Sequence, residues 1–204
     1  MRFSVCKTPR RVILDRQIEE VSRHLKGTIL DLGSAESPYS SLTGRRLPMD
    51  IRPFPGVKIL ADGGSLPLKD SSLSNVLCTE LLEHVLRPEK VIAEIHRVLD
   101  HGGILILTVP FLYPLHRDPV DFHRFTEDGL RATLRDFEVL NVLPQGKTFT
   151  VLGLMVHVEA ETYRLPLPLK LCVWLMAHVI SFFDTFIPQT GWTTGYLALC
   201  RKQR

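Results

Sequence analysis

The stretch Thr28-Ile29-Leu30-Asp31-Leu32-Gly33-Ser34-Ala35 decides how this chain is read. Its first five residues form a short, mostly apolar run of strand type, and Gly33 turns it. Gly27 stands just before and ends a helix over about 10–25, where Leu14, Ile18, Val21 and Leu25 recur at helical spacing. Further strand-like runs follow at 46–51, 57–61, 75–78 and 104–109. Between the last two, Val91, Ile92, Ile95, Val98 and Leu99 share one face of a helix, with Pro88 in its first turn and Gly102-Gly103 expected to close it. Thr126 is expected to cap another helix, with Glu127 and Asp128 in the positive first turn and Leu130, Leu134 and Phe137 on its buried side. Strands are expected at 137–143 and 195–200. Strands alternating with helices imply an α/β fold with a parallel sheet and right-handed crossovers.

The chain has 204 residues, enough for one α/β domain with a substantial core. We read it as a single domain over 1–204, with a core at about 27–145, a helical insertion at about 148–188 and a final strand at about 194–201. With 45% hydrophobic and 23% charged residues it has the composition of a globular protein. A formal charge of +3 does not support a nucleic-acid groove, and Lys7, Arg10, Arg11, Arg201, Lys202 and Arg204 read as solvated ends. Cys6, Cys78, Cys172 and Cys200 stand far apart, which fits neither a zinc knuckle nor a disulfide framework and points to reduced thiols in the cytoplasm. Charges at the start of the chain occupy the place where a signal peptide needs an apolar stretch.

The segment 148–188 interrupts the alternation, with two apolar helical stretches split by Leu165-Pro166-Leu167-Pro168. In the second, Lys170, His178, Ser181, Asp184 and Thr185 fall within roughly 120° on a helical wheel, and the rest of the circumference is apolar. That polar stripe argues against a spanning helix. Two readings stand: core packing against the sheet, or docking of residues 169–187 on the inner face of a membrane or on a second copy of the chain.

Three residues at successive strand ends carry the chemistry. The turn after residue 32 meets a ligand in any doubly wound sheet, and small residues there admit a bulky one. Asp50 follows seventeen positions after Gly33 and can accept both hydroxyl hydrogens of a ribose. Asp62 ends the third strand and can accept from an adenine amine. Each also reads as an ordinary turn or cap residue; their joint placement is what argues for a nucleoside site.

The order ILDLGSAESPY, MDI, ILADGGSLPLKDSSLSNVLCTELLEHV and EIHRVLDHGGILILTVPF resembles the class I methyltransferases, specifically the type 11 methyltransferase-domain family, over roughly residues 27–145. The resemblance implies a Rossmann-like seven-stranded sheet with the last strand antiparallel, and S-adenosylmethionine as methyl donor. It implies that Asp31, Gly33, Ser34 and Ala35 lie beside the methionine part, with Asp31 near its amino group. Asp50 and Ile51 would flank ribose and adenine, Asp62 and Gly63 the adenine edge, and Thr79 and Glu80 the end of the fourth strand. The sequence departs from the family at Ala35 and Ser37, where glycine-like positions carry a Cβ, and at Asp100-His101 before the Gly-Gly turn.

The acceptor side falls in 111–126, similar to a subgroup pattern P-x-H-x-x-P-x-D-x-x-R-F-T found in bacterial proteins of glycan or lipid modification. His116 is the candidate general base, because imidazole titrates near neutrality, and Asp121 and Arg124 either orient the acceptor or brace the loop. His116, His123, Asp118 and Asp121 also have metal-ligand chemistry, but methyl transfer needs no metal and none is expected. His84 of the Glu83-His84 pair reads as packing. The expected acceptor is a small molecule, glycan or lipid. The competing function is a methyltransferase-like binding or scaffold module without catalysis. A dehydrogenase would need G-x-G-x-x-G after the first strand, and a P-loop enzyme needs G-x-x-x-x-G-K-[ST]; neither occurs.

Overall fold

Gly27, with φ +84°, turns the chain out of its first helix into the strand that starts the sheet. The computed structural model describes residues 7–23, 25–35, 42, 45–117, 119–163 and 165–203. Cys6, Ser37, Asp118 and Arg204, all weighed above, lie outside the described residues. The elements are α1 (Pro9–Ser22), β1 (Thr28–Leu32), β2 (Arg45–Asp50), β3 (Ile59–Leu60), β4 (Leu73–Thr79), α2 (Pro88–Val98), β5 (Leu99–Pro110), α3 (Glu127–Thr133), β6 (Phe137–Pro144), α4 (Thr148–Thr162), α5 (Leu167–Phe182) and β7 (Gly195–Lys202).

The sheet runs β3-β2-β1-β4-β5-β7-β6. β1 to β5 pair in parallel, and β7 lies antiparallel between β5 and β6. This is the Rossmann-like sheet with an antiparallel last strand that the sequence implied. Alternate side chains of the central strands divide the core into two layers. Ile29, Leu77, Ile106 and Leu197 pack with Leu14, Ile18 and Val21 of α1. Leu30, Val76, Leu105 and Ala198 face the other way, onto Val91, Ile95 and Val98 of α2 and Leu130 of α3.

Thr126 caps α3 as expected, its Oγ1 accepting from Gly129 N at 3.1 Å. Two details differ from expectation. Gly102-Gly103 does not close α2, which ends at Val98; the pair sits inside β5, where the register jumps from Leu73 opposite Leu99 to Asn75 opposite Ile104. The basic ends are also less solvated than charge alone suggests. Arg10 is buried, and Lys202 turns inward so that Nζ donates to Leu99 O at 2.7 Å. Arg10 shares a helical face with Leu14 and Ile18, at i+4 and i+8, and that spacing was the available signal.

The segment between β6 and β7 is a helical pair laid beside α1. Asp184, in the 3-10 turn after α5, caps the start of α4 by accepting from Lys147 N (2.7 Å), Phe149 N (2.8 Å) and Thr150 N (3.1 Å). Thr150 Oγ1 and Ser181 Oγ lie 2.7 Å apart, and Lys170 reaches Glu161 at 2.7 Å. A Cβ on Gly153 would stand 2.5 Å from Ala177 O, so glycine is what lets the two helices meet. The polar side of α5 is thus turned toward α4, with only Thr185 of the stripe left exposed. Its apolar side faces outward: Leu171, Leu175, Val179 and Phe182 are all exposed. Core packing of that face against the sheet is therefore overturned. Residues Leu167–Phe186 are long and apolar enough to cross a membrane by length and composition, but their polar side is already bonded to α4.

Candidate functional site

The carboxyl ends of β1, β2, β4 and β5 converge on one edge of the sheet, where the loops that follow them carry the candidate residues. Gly33 has φ +72°, and a Cβ there would press against Leu81 at 3.0 Å, so the first loop seats directly on the loop after β4. Gly33 N and Ser34 N both donate to Met49 O, at 2.9 and 3.0 Å. Ala35 takes φ +42°, a conformation that costs about 1 kcal/mol for a residue with a Cβ. It is held there because Ala35 N donates to Asp50 Oδ2 at 2.8 Å. Asp50 Oδ1 accepts from Arg52 N at 2.9 Å. A carboxylate has about four acceptor positions, so Asp50 retains capacity for two hydroxyl donors while bracing the loop that would surround them.

The neighbouring residues divide. Ile51 is exposed beside Asp50, in position to cover a flat ring. Asp62 is exposed, and its Oδ1 caps the turn through Gly63 by accepting from Gly64 N at 2.7 Å. Thr79 closes β4, and Glu80 follows at φ +52° with its carboxylate held by Arg10 Nη2 (2.6 Å) and Thr108 Oγ1 (2.9 Å). Asp31 is the exception to what the resemblance implied. Its buried carboxylate is paired with the Arg46 guanidinium from β2, so an amino group is not required to neutralise it. The donor set therefore fits an adenosyl group at Asp50, Ile51 and Asp62, and leaves the methionine end to Gly33, Ser34 and Glu80.

On the other side, the loop 111–126 folds back over the turn after β4. Phe122 N and His123 N donate to Glu83 O, at 2.7 and 3.3 Å. Asp121 receives Arg124 on both oxygens, with Nη2 to Oδ2 at 2.6 Å, and also accepts from His116 N at 2.9 Å. The Arg124 bonds hold the Asp121 carboxyl down to about 2. Asp121 and Arg124 are thus committed to the loop's own shape, and what they fix is His116. That imidazole packs edge-on against His84, ring centroids 4.8 Å apart, and against Tyr113 at 5.2 Å. Burial, and then His84, lower its pKa, which favours the neutral imidazole a general base needs.

Three groups at this edge were not assigned from the sequence. Arg10 reaches across from α1 to Glu80 and lies over the Tyr113 ring at 4.8 Å. Glu83 is fully buried, and neither of its carboxylate oxygens has a hydrogen-bond partner among the described residues. Burial, and then Glu80, raise its pKa well above the usual carboxylate range. His84, read as packing, stands next to it with Nε2 3.8 Å from Glu83 Oε1. The sequence pair Glu83-His84 was visible, but its contact with His116, thirty-two positions on, is made only by the fold.

Residues 40–107 match the family described as methyltransferase domain. Over that stretch, a third of its length, the chain is similar to this family, and its sheet has the methyltransferase fold. It is 28% identical over 131 residues to an uncharacterized protein of Methanocaldococcus jannaschii, covering 58% of this chain and 64% of the other. It is 30% identical over 92 residues to the ubiquinone/menaquinone biosynthesis C-methyltransferase of Campylobacter jejuni, covering 45% of this chain and 34% of that enzyme. The matches thus span less than two thirds of either relative. Among solved structures, the fold is shared with the Burkholderia thailandensis 1,6-didemethyltoxoflavin-N1-methyltransferase, with a TM-score of 0.61 at 13% identity over 96% of this chain and 79% of that one. That protein was solved with 1,6-didemethyltoxoflavin and S-adenosylhomocysteine bound.

Proposed function

We propose that this protein is an S-adenosylmethionine-dependent methyltransferase whose acceptor is a small molecule, glycan or lipid. The observation that carries the reading is Asp50: a buried carboxylate at the end of β2, tied to the first loop through Ala35 N and keeping acceptor capacity for a ribose. Asp50, Ile51 and Asp62 would hold the nucleoside, and Gly33, Ser34, Ala35, Gly63, Thr79 and Glu80 would line the rest of the donor. The bound donor supplies a methyl group already activated on a sulfonium. What the protein adds is alignment of acceptor and methyl, worth several kcal/mol when the geometry is held tightly. His116 is the acceptor-side group, and Asp121 and Arg124 are positioning residues that keep its loop in place.

The pairing of Asp31 with Arg46 and the Cβ of Ala35 favour the second reading, a binding module of this fold that has lost the donor. Calorimetric titration with S-adenosylmethionine and S-adenosylhomocysteine separates the two. Stoichiometric binding that weakens at least tenfold in Asp50→Ala supports the enzyme. A folded wild-type protein that binds neither compound leaves only the binding module. We read the location as cytoplasmic from the separated cysteines, with the outward apolar face of α5 docking on the inner face of a membrane or on a second copy of the chain.

A further inference from the structure

We propose that Glu83, His84 and His116 form a binding site for one first-row divalent transition cation at the acceptor side of the methyl-transfer site. The three ligand atoms all lie within 4.8 Å of one another, although they come from the turn after β4 and from the loop after β5. His84 Nε2 and His116 Nε2 stand 3.8 and 3.9 Å from the same atom, Glu83 Oε1. Ligands around such a cation sit at about 2.0–2.2 Å from it, roughly 3 Å apart, so small side-chain rotations close the set.

The pairing of side chains at this edge leaves one group without a partner. Arg10 is spent on Glu80, and Arg124 on Asp121. Glu83 remains, buried and with both oxygens lacking a hydrogen-bond partner. Buried polar atoms without partners are costly, and a divalent ion between them and two imidazoles would supply the missing partner. The outer contacts of both histidines fit the same role. His84 Nδ1 lies 2.5 Å from Val120 O, which as an N–H donor fixes the tautomer and turns the Nε2 lone pair toward Glu83. His116 Nδ1 lies 3.5 Å from Asp121 Oδ2, too far for a hydrogen bond but close enough for the carboxylate to turn toward it once an ion is bound. Both rings keep some solvent access, which gives an ion a way in.

Two imidazoles and one carboxylate suit zinc, cobalt, manganese or iron and leave coordination positions open. On the methyltransferase reading, on which this role rests, those positions face the acceptor and select one that offers an oxygen ligand. Binding of the ion itself does not depend on that reading.

The test is titration of chelator-treated protein with Co²⁺, followed by its visible absorption, beside Glu83→Gln and His116→Ala. One equivalent should produce the band of a low-coordinate histidine site and raise the wild-type melting temperature. Glu83→Gln keeps the shape and breaks no hydrogen bond, since neither Glu83 oxygen has a partner, so without cobalt it should melt no lower than wild type. With cobalt it should lose at least tenfold in affinity and gain no thermal shift. No saturable band in the folded wild-type protein, or undiminished cobalt affinity in both variants, overturns the site. Saturable cobalt binding without S-adenosylhomocysteine binding keeps the site and removes the methyltransferase reading instead.

Discussion

The carboxylates near the sheet edge are not held alike, and what holds each one sets what it can do. Asp50 is held by backbone N–H groups, Asp121 by a guanidinium, Asp31 by Arg46, and Glu83 by neither. Away from the site, Glu94 shows the same logic in a structural role. It accepts from Arg97 Nε at 2.7 Å and from Leu66 N at 2.7 Å, and the Arg97 bonds lower its pKa. Because the folded value is depressed, the stabilisation is complete above the ordinary glutamate pKa of about 4.3 and is lost as pH falls through the lower folded value. Glu94→Gln is therefore expected to lower stability at pH 7 and to flatten the acid limb of a urea-midpoint profile; an unchanged limb would count against this pair. Asp50 and Asp62 were legible in the sequence because strand ends are fixed by the alternation of elements. Arg46 was not, because its partner depends on the register of Ile29 opposite Arg46.

Elements without helices between them are supported from elsewhere. The connection from β3 to β4 contains no described helix, and Arg97 of α2 holds it by donating to Leu66 O (3.0 Å), Leu68 O (2.8 Å) and Asp70 (2.6 Å). The Asp62 turn at the start of that connection thus takes its place from a helix later in sequence. The α4–α5 pair depends on close approach instead. Gly153→Ala sets a Cβ against a backbone carbonyl that cannot rotate away, and is expected to cost about 1–3 kcal/mol, read as a lower urea midpoint. A neutral result would mean that the helices separate freely. The sequence showed two apolar helical stretches here, and of the polar stripe on the second, Lys170, His178, Ser181 and Asp184 turn away from solvent while Thr185 does not. What the pattern could not tell was which side faces the protein. A polar stripe satisfied by a second helix is indistinguishable, on a wheel, from one satisfied by water.

At the scale of the molecule, the outward apolar side of α5 departs from an ordinary soluble surface, with Leu171, Leu175, Val179 and Phe182 exposed and Phe186 of the turn after it beside them. Vesicle flotation is expected to carry the protein upward, and Leu175→Asp with Phe182→Asp to leave it at the bottom of the gradient. A dimer on sizing that ignores vesicles would assign the face to a second copy of the chain. The sheet itself followed from the alternation of strands and helices together with the resemblance, which supplied the antiparallel strand. That strand has a consequence in time. Of the described strands β7 is synthesised last, yet it lies between β5 and β6 and is the only described neighbour of β6. Fifty residues, including α4 and α5, separate the end of β6 from the start of β7. A growing chain therefore carries β5 and β6 with unpaired edges throughout that interval. The sheet closes by insertion of a final segment rather than by addition at its rim, so a ribosome that pauses within residues 145–194 holds the protein at its most adhesive stage.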